Sequence, residues 1–163
     1  MHGGDALQIE TYCEKYRDAV IALILTIQNR EAKIGLTLRE QPDLMQIRRD
    51  YQQSGGEFWV AVHDGAVIGT IGLMRKGSYG AVLKKFFVKK EFRSQKIGLS
   101  LYRTLLAYAQ KAGIRQIVLD TPSVAKVSHR FYEKAGFKKI SKAELPFPYT
   151  YPDRDSMLYL LDL

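Results

Sequence analysis

Residues 83–98 read LKKFFVKKEFRSQKIG, and this stretch decides the fold. It opens as a strand from Leu83 to Val88, passes through a basic loop, and reaches Gly98 as a helix begins. Apolar residues at Leu101, Tyr102, Leu105, Leu106 and Ala109 fall at helical spacing and predict a helix from Ile97 to Ala112, closed by Gly113. The first turn of a helix leaves backbone N–H groups unpaired and carries partial positive charge, so amides delivered there can seat phosphate oxygens. Lys84, Lys85, Lys89, Lys90, Arg93 and Lys96 crowd the same region against one acid, Glu91. Gly98 lacks a Cβ where close backbone approach would help. For this loop alone, a solvated basic turn is the alternative reading.

On the N-terminal side, Gln8 to Tyr12 can form a short strand. Tyr16, Val20, Leu23, Ile24 and Ile27 line one face of a helix from Glu14 to Arg30. A second helix is expected from Pro42, carrying Leu44, Ile47 and Tyr51 and ending at Gly55-Gly56. Phe58 to Val62 and Val67 to Met74 flank Asp64-Gly65, a dipeptide suited to a tight hairpin, and Ala81 to Val88 follows as the next strand. On the C-terminal side, Ile114 to Asp120 reads as a strand and Pro122 to Ala135 as a helix capped by Gly136. Phe137 to Ile140 and Met157 to Leu161 supply two last strands around a proline-containing loop. The order predicts an α/β (α+β sandwich) fold around a mixed sheet.

The chain of 163 residues, 46% of them apolar, is one domain's worth of sequence, with Met1 to Asp5 as a loose tail. Lys and Arg number 25 against 17 Asp and Glu, a formal charge of +8 that favours anionic partners without choosing among them. Cys13 is the only cysteine, so no intrachain disulfide can form, which fits a reducing cytosol. Ala19 to Ile27 is apolar, but acids precede it where a signal peptide needs positive charge, and it is too short to span a bilayer. A cytoplasmic protein with no membrane partner is expected.

A second stretch gives the basic loop its meaning. Leu119-Asp120-Thr121 ends a strand, and Phe131-Tyr132-Glu133-Lys134-Ala135-Gly136-Phe137 lies on the following helix and its exit. Together with Phe86-Phe87-Val88 and Arg93-Ser94-Gln95-Lys96-Ile97-Gly98, this resembles the GNAT superfamily of acyl-CoA-dependent N-acyltransferases. In that family a strand leads to R/Q-x-x-G-x-G/A, then a helix, a strand ending L-x-T, and a helix ending F-Y-E-K-x-G-F. The paired motifs span roughly residues 81 to 140.

The resemblance implies a mixed, mostly antiparallel sheet of six to seven strands flanked by about four helices. It implies acetyl-CoA as acyl donor and a small-molecule or peptide amine as acceptor, attacked directly in a ternary complex. The pantetheine arm would lie along Phe86, Phe87 and Val88 by strand addition. The pyrophosphate would rest on amides from Ser94, Gln95, Lys96, Ile97, Gly98 and Leu99, with Arg93 and Lys96 as counter-charges, and Thr121 and Ser128 would meet the cofactor from its other side. Tyr132 takes the position whose hydroxyl faces the departing sulfur, where a phenol can hydrogen-bond to a thiolate or protonate it. No metal site is implied, and a homodimer stays open.

Three positions depart from the family pattern. Lys96 replaces a glycine, at a cost on the order of 1–2 kcal/mol if the backbone there is left-handed. Ala125 stands where many members carry asparagine. Val82 falls near where many place a glutamate base. His63, Glu57, Asp120, His129, Glu144 and Asp153 are the remaining candidates for deprotonating the amine. Each also has an ordinary reading, in turns, at a strand end, or on solvated faces for the glutamates and His129. Trp59 reads as core. The loop Leu145 to Tyr151 reads equally as a connector or as the wall of an amine slot. Two rival functions use the same residues: a basic nucleic-acid-binding domain around Lys84 to Val88, and a non-catalytic acyl-CoA-binding relative.

Overall fold

The computed structural model describes residues 7–33, 35–151 and 155–163, so the expected tail at Met1 to Asp5 and the candidate Asp153 lie outside the described residues. Among the described residues seven strands, β1 (Gln8–Thr11), β2 (Glu57–His63), β3 (Ala66–Lys76), β4 (Gly80–Val88), β5 (Gln116–Pro122), β6 (Lys138–Ile140) and β7 (Ser156–Asp162), form one sheet in the order β1-β2-β3-β4-β5-β7-β6. Only β4 and β5 run parallel; every other neighbouring pair is antiparallel. The helices are α1 (Arg17–Thr26), α2 (Ile97–Lys111) and α3 (Lys126–Lys134), joined by short 3-10 and π turns. The expected mixed, mostly antiparallel sheet is therefore present.

Alternation along the strands sorts their side chains between two cores. Ile71, Leu73, Ala81, Leu83, Ile117 and Leu119 face α2 and α3, where they pack on Leu101, Leu105 and Tyr132. Phe58, Val60, Val62 and Val67 face α1 and bury Val20, Ile24, Leu44, Ile47 and Tyr51. Trp59 is core, as its strand position predicts. At the β2–β3 turn Asp64 and Gly65 take φ of 51° and 75°, the positive angles a two-residue hairpin requires.

Two expectations need correction. No continuous helix starts at Pro42: a 3-10 turn (Pro42–Met45) and a π turn (Arg48–Gln52) are separated by Gln46 at φ −136°. The apolar spacing correctly selects Leu44, Ile47 and Tyr51 for burial. Hydrogen bonds from Tyr51 to Asp43 and exchanged between Gln28 and Gln41 fix this segment to its neighbours in a shape periodicity does not encode. Pro122 does not open a helix either. It is the last residue of β5, paired with Ser156, and α3 begins at Lys126. A proline is tolerated at such a strand end because one missing N–H costs little there.

Candidate active site at the parting of two strands

β4 and β5 pair only at Gly80–Gln116, Ala81–Ile117 and Val82–Val118. Beyond that point β4 continues to Val88 and β5 to Pro122 without pairing to each other. The outer half of β4 stays attached to β3 through Thr70–Phe87 and Gly69–Val88. An extra residue bulges β4 between these pairs and Gly72–Lys84; Lys85 sits there at φ 56°, and Thr70 Oγ1 donates to its carbonyl at 2.7 Å. A bulge increases local twist and bends the strand, which here turns the β5-facing edge of β4 free. Phe86 and Val88 point toward α2 and α3, and Phe87 points to the opposite core.

The basic loop folds as a 3-10 helix (Lys90–Gln95) and ends on Lys96, whose φ of 60° and ψ of 23° are left-handed. That residue is the N-cap of α2, with no side chain capping the helix. The family's glycine position is thus left-handed in this chain, occupied by a lysine. Ile97 is buried and anchors the turn, whereas Ser94, Gln95 and Lys96 are exposed and Gly98 and Leu99 half-buried. A Cβ added to Gly98 would meet Phe86 Cζ at 3.5 Å and Val88 Cγ2 at 3.7 Å, so the helix start lies directly over the freed half of β4. Arg93 is exposed but tied back to the protein. Its guanidinium donates to the Val88 carbonyl at 2.9 Å and pairs with Glu31, tying the loop to the end of the first helical segment.

α3 covers the parting from the same side. Tyr132 is buried, its ring 6.4 Å from Phe86 and 6.1 Å from Tyr159. Burial, with the Asp120 charge nearby, pushes its phenol well above the ordinary range, so it keeps its proton and remains a hydrogen-bond donor. Thr121 is buried at the end of β5, and Ser128 is half-buried on α3. His129, expected on a solvated face, is instead buried, with Nε2 2.9 Å from the Pro122 carbonyl. His129 lies three residues before Tyr132 and so shares the inner face of α3 with it.

The opposite face of the parting is polar. Lys84 and Asp120 follow Val82 and Val118 in the alternation and share that face. Tyr149 donates to Asp120 Oδ1 at 3.3 Å. Desolvation raises the Asp120 pKa, while Lys84, the Tyr149 hydrogen bond and Lys85 oppose the rise. Lys85 Nζ reaches Gln41 Oε1 at 2.7 Å, and burial lowers its pKa against the opposing pull of Asp43. The loop Leu145 to Tyr151 spans this face: Phe147 packs against Gly80, Tyr149 reaches Asp120, and neighbouring rings stand 5.3 to 6.4 Å apart. Of its aromatic residues, Tyr149 is the one bonded to Asp120, whereas Phe147 sits at the paired end of β4.

The other candidate bases are engaged elsewhere. Glu57 accepts from Gln52 at 2.7 Å and from the Phe58 amide. Glu144 completes a capping box with Ser141. His63 rests against Phe92, 5.2 Å between ring centroids. Val82 is fully buried in the part of the seam that is still paired, so a base at that position would not face the opening. Sequence reading names Asp120 but misses Tyr149 and Lys84 as its neighbours. Their separation along the chain hides the cluster, and only the run of aromatic residues in the loop hints at it.

A family model described as acetyltransferase (GNAT) family matches residues 21–137. An acetyltransferase from Streptococcus agalactiae 2603 is 39% identical, with a TM-score of 0.92 over 96% of this chain and 98% of that one. The PaiA N-acetyltransferase of Thermoplasma acidophilum, solved with coenzyme A, is 20% identical and shares the fold, with a TM-score of 0.74 over 97% of this chain and 99% of that one. A probable N-acetyltransferase camello of Xenopus tropicalis is 31% identical over 107 residues, 64% of this chain and 49% of that protein. The chain spans about half the length of that curated relative.

Proposed function

The chain belongs to the acetyltransferase (GNAT) family, and we propose that residues 1–163 act as one catalytic domain that moves an acetyl group from acetyl-CoA to a primary amine. The observation that carries this reading is the parting of β4 from β5 beneath the left-handed start of α2. A freed strand edge suits a ligand with amides along its length, and uncapped helix amides suit a diphosphate. The residues fit acetyl-CoA for that reason.

Phe86, Phe87 and Val88 hold the pantetheine arm through their backbone, while amides from Ser94 to Leu99 hold the phosphates. Lys96 adds charge beside them; Arg93 keeps the loop closed through Val88 and Glu31. Thr121 and Ser128 border the ligand from the β5 and α3 side. When bound, acetyl-CoA supplies a thioester carbonyl activated toward amines. Tyr132, held protonated, donates a hydrogen bond where the sulfur accumulates charge. The cytoplasm is the compartment expected, since the exposed thiol of Cys13 persists where thiols stay reduced. Among the described residues no helix is long and apolar enough to cross a membrane.

The basic strand offers little to nucleic acid. Lys85 is buried against Asp43, and Lys84 faces the parting. Calorimetry with acetyl-CoA and a thiol-release screen against a broad amine panel test the reading. Saturable binding together with amine-dependent thiol release is expected. Binding without release across the panel would make the chain a non-catalytic relative, and no binding would remove the donor seat.

A further inference from the structure

The family pattern's glutamate is absent, and the parting opens on its polar face to a different set of groups. Asp120 lies at the end of β5, where no β4 backbone covers it, with Tyr149 bonded to one carboxylate oxygen. Lys84 and Lys85 face it from β4, Tyr149 from the loop and Tyr132 from α3. Lys85 is already held by Asp43 and Gln41. Lys84 is half-buried and makes no hydrogen bond or ion pair with another described residue. An anion and a cation therefore stand on opposite banks of one opening, with Tyr149 bonded to the anion.

We propose that Asp120 takes the proton of the incoming ammonium group and that Lys84 holds an anionic group of the same molecule. The acceptor is then a zwitterion, an amine carrying a carboxylate close to its nitrogen. A purely cationic diamine would set its second charge against Lys84 and Lys85, whereas an amino acid answers both banks. This rests on the acetyl-transfer reading above and adds the acceptor face to it.

The proton balance closes. The ammonium N–H bond breaks and its proton joins a carboxylate oxygen of Asp120, leaving the electron pair on nitrogen. That pair forms the new C–N bond as the C–S bond breaks, its electrons leaving on sulfur beside the Tyr132 hydroxyl. The second nitrogen proton passes to the sulfur, and Asp120 returns its proton to water. Burial biases Asp120 toward a stronger base than an exposed aspartate, while Lys84 and Tyr149 keep it ionised enough to act.

The test is steady-state kinetics with acetyl-CoA on matched pairs, each an amino acid and its amide, for the wild type, Asp120→Asn and Lys84→Met. The wild type should favour the acids by about tenfold or more in kcat/KM, and Lys84→Met should erase that preference. Asp120→Asn keeps the Tyr149 contact, so it should fold with unchanged acetyl-CoA affinity by calorimetry. Its kcat should drop about a hundredfold, and the acid limb of its pH profile should move up to the pKa of the free amine. Asp120→Glu should recover part of the rate. Amides used as well as acids by the wild type, or an unmoved acid limb in Asp120→Asn with donor binding intact, would overturn the acceptor assignment alone. Failure of the wild type to bind acetyl-CoA would overturn the donor seat, and this proposal with it.

Discussion

Lys85 Nζ lies 3.6 Å from Asp43 Oδ2, and the two side chains are only 10% and 13% exposed. The pair fastens the segment after α1 to the bulge of β4, and Tyr51 also donates to Asp43 at 2.6 Å. Removing one charge strands the other out of water. Asp43→Asn should therefore destabilise the fold by about 3 kcal/mol in urea unfolding. The double variant with Lys85→Met should lose less than the sum of the two single changes, because neither charge is then left alone.

Lys96 holds a backbone conformation that glycine adopts freely. Lys96→Gly should stabilise the protein by about 1 kcal/mol, less the added freedom of the unfolded chain. It should also weaken acetyl-CoA binding as the ammonium group is lost. A gain in melting temperature with a rise in Kd is the expected pattern.

Gly98 offers a sharper separation of stability from binding. A methyl group there meets Phe86 and Val88 at ordinary contact distance, so Gly98→Ala should fold and gain up to about 1 kcal/mol of helix propensity. Acetyl-CoA affinity should nevertheless fall about tenfold, or about 1.4 kcal/mol, as the methyl intrudes on the phosphate seat. Unchanged calorimetric affinity would place the phosphates elsewhere.

Tyr132→Phe removes one hydroxyl from a ring packed by Phe86, Phe137 and Tyr159. Turnover should fall about a hundredfold with little change in the KM for acetyl-CoA. Because the Tyr132 pKa is raised, its ionisation should put no alkaline limb on the wild-type profile below pH of about 10, the ordinary tyrosine value. A limb in that range that vanishes in Tyr132→Phe would contradict the burial argument.

Asp120 also makes a stability prediction. Its folded pKa is raised, so the folded protein binds more protons than the unfolded chain once pH passes the ordinary aspartate value. Stability from this group is full below that value and is lost as pH climbs through the raised one. Asp120→Asn should therefore melt higher than the wild type near neutral pH, and the difference should shrink in acid. A site that sacrifices stability for chemistry shows this signature.

Apart from the helix expected from Pro42, the order of strands and helices, the helix start at Ile97 and the burial of Leu44, Ile47, Tyr51 and Trp59 could be read from the sequence. Each rests on contacts within a few residues: apolar period, turn dipeptides and the amides of one helix end. The basic loop and its helix form a continuous stretch, so the proposed donor seat can be read without knowing where the rest of the chain lies. The proposed acceptor face rests on the tertiary structure alone. Asp120 meets Tyr149 across 29 residues of chain, and Lys85 reaches Asp43 and Gln41 because a one-residue bulge turns it out of alternation. A shift of one residue in strand register exchanges the two faces of a sheet. Which charges look into the opening therefore depends on how distant strands are paired, which no local pattern specifies.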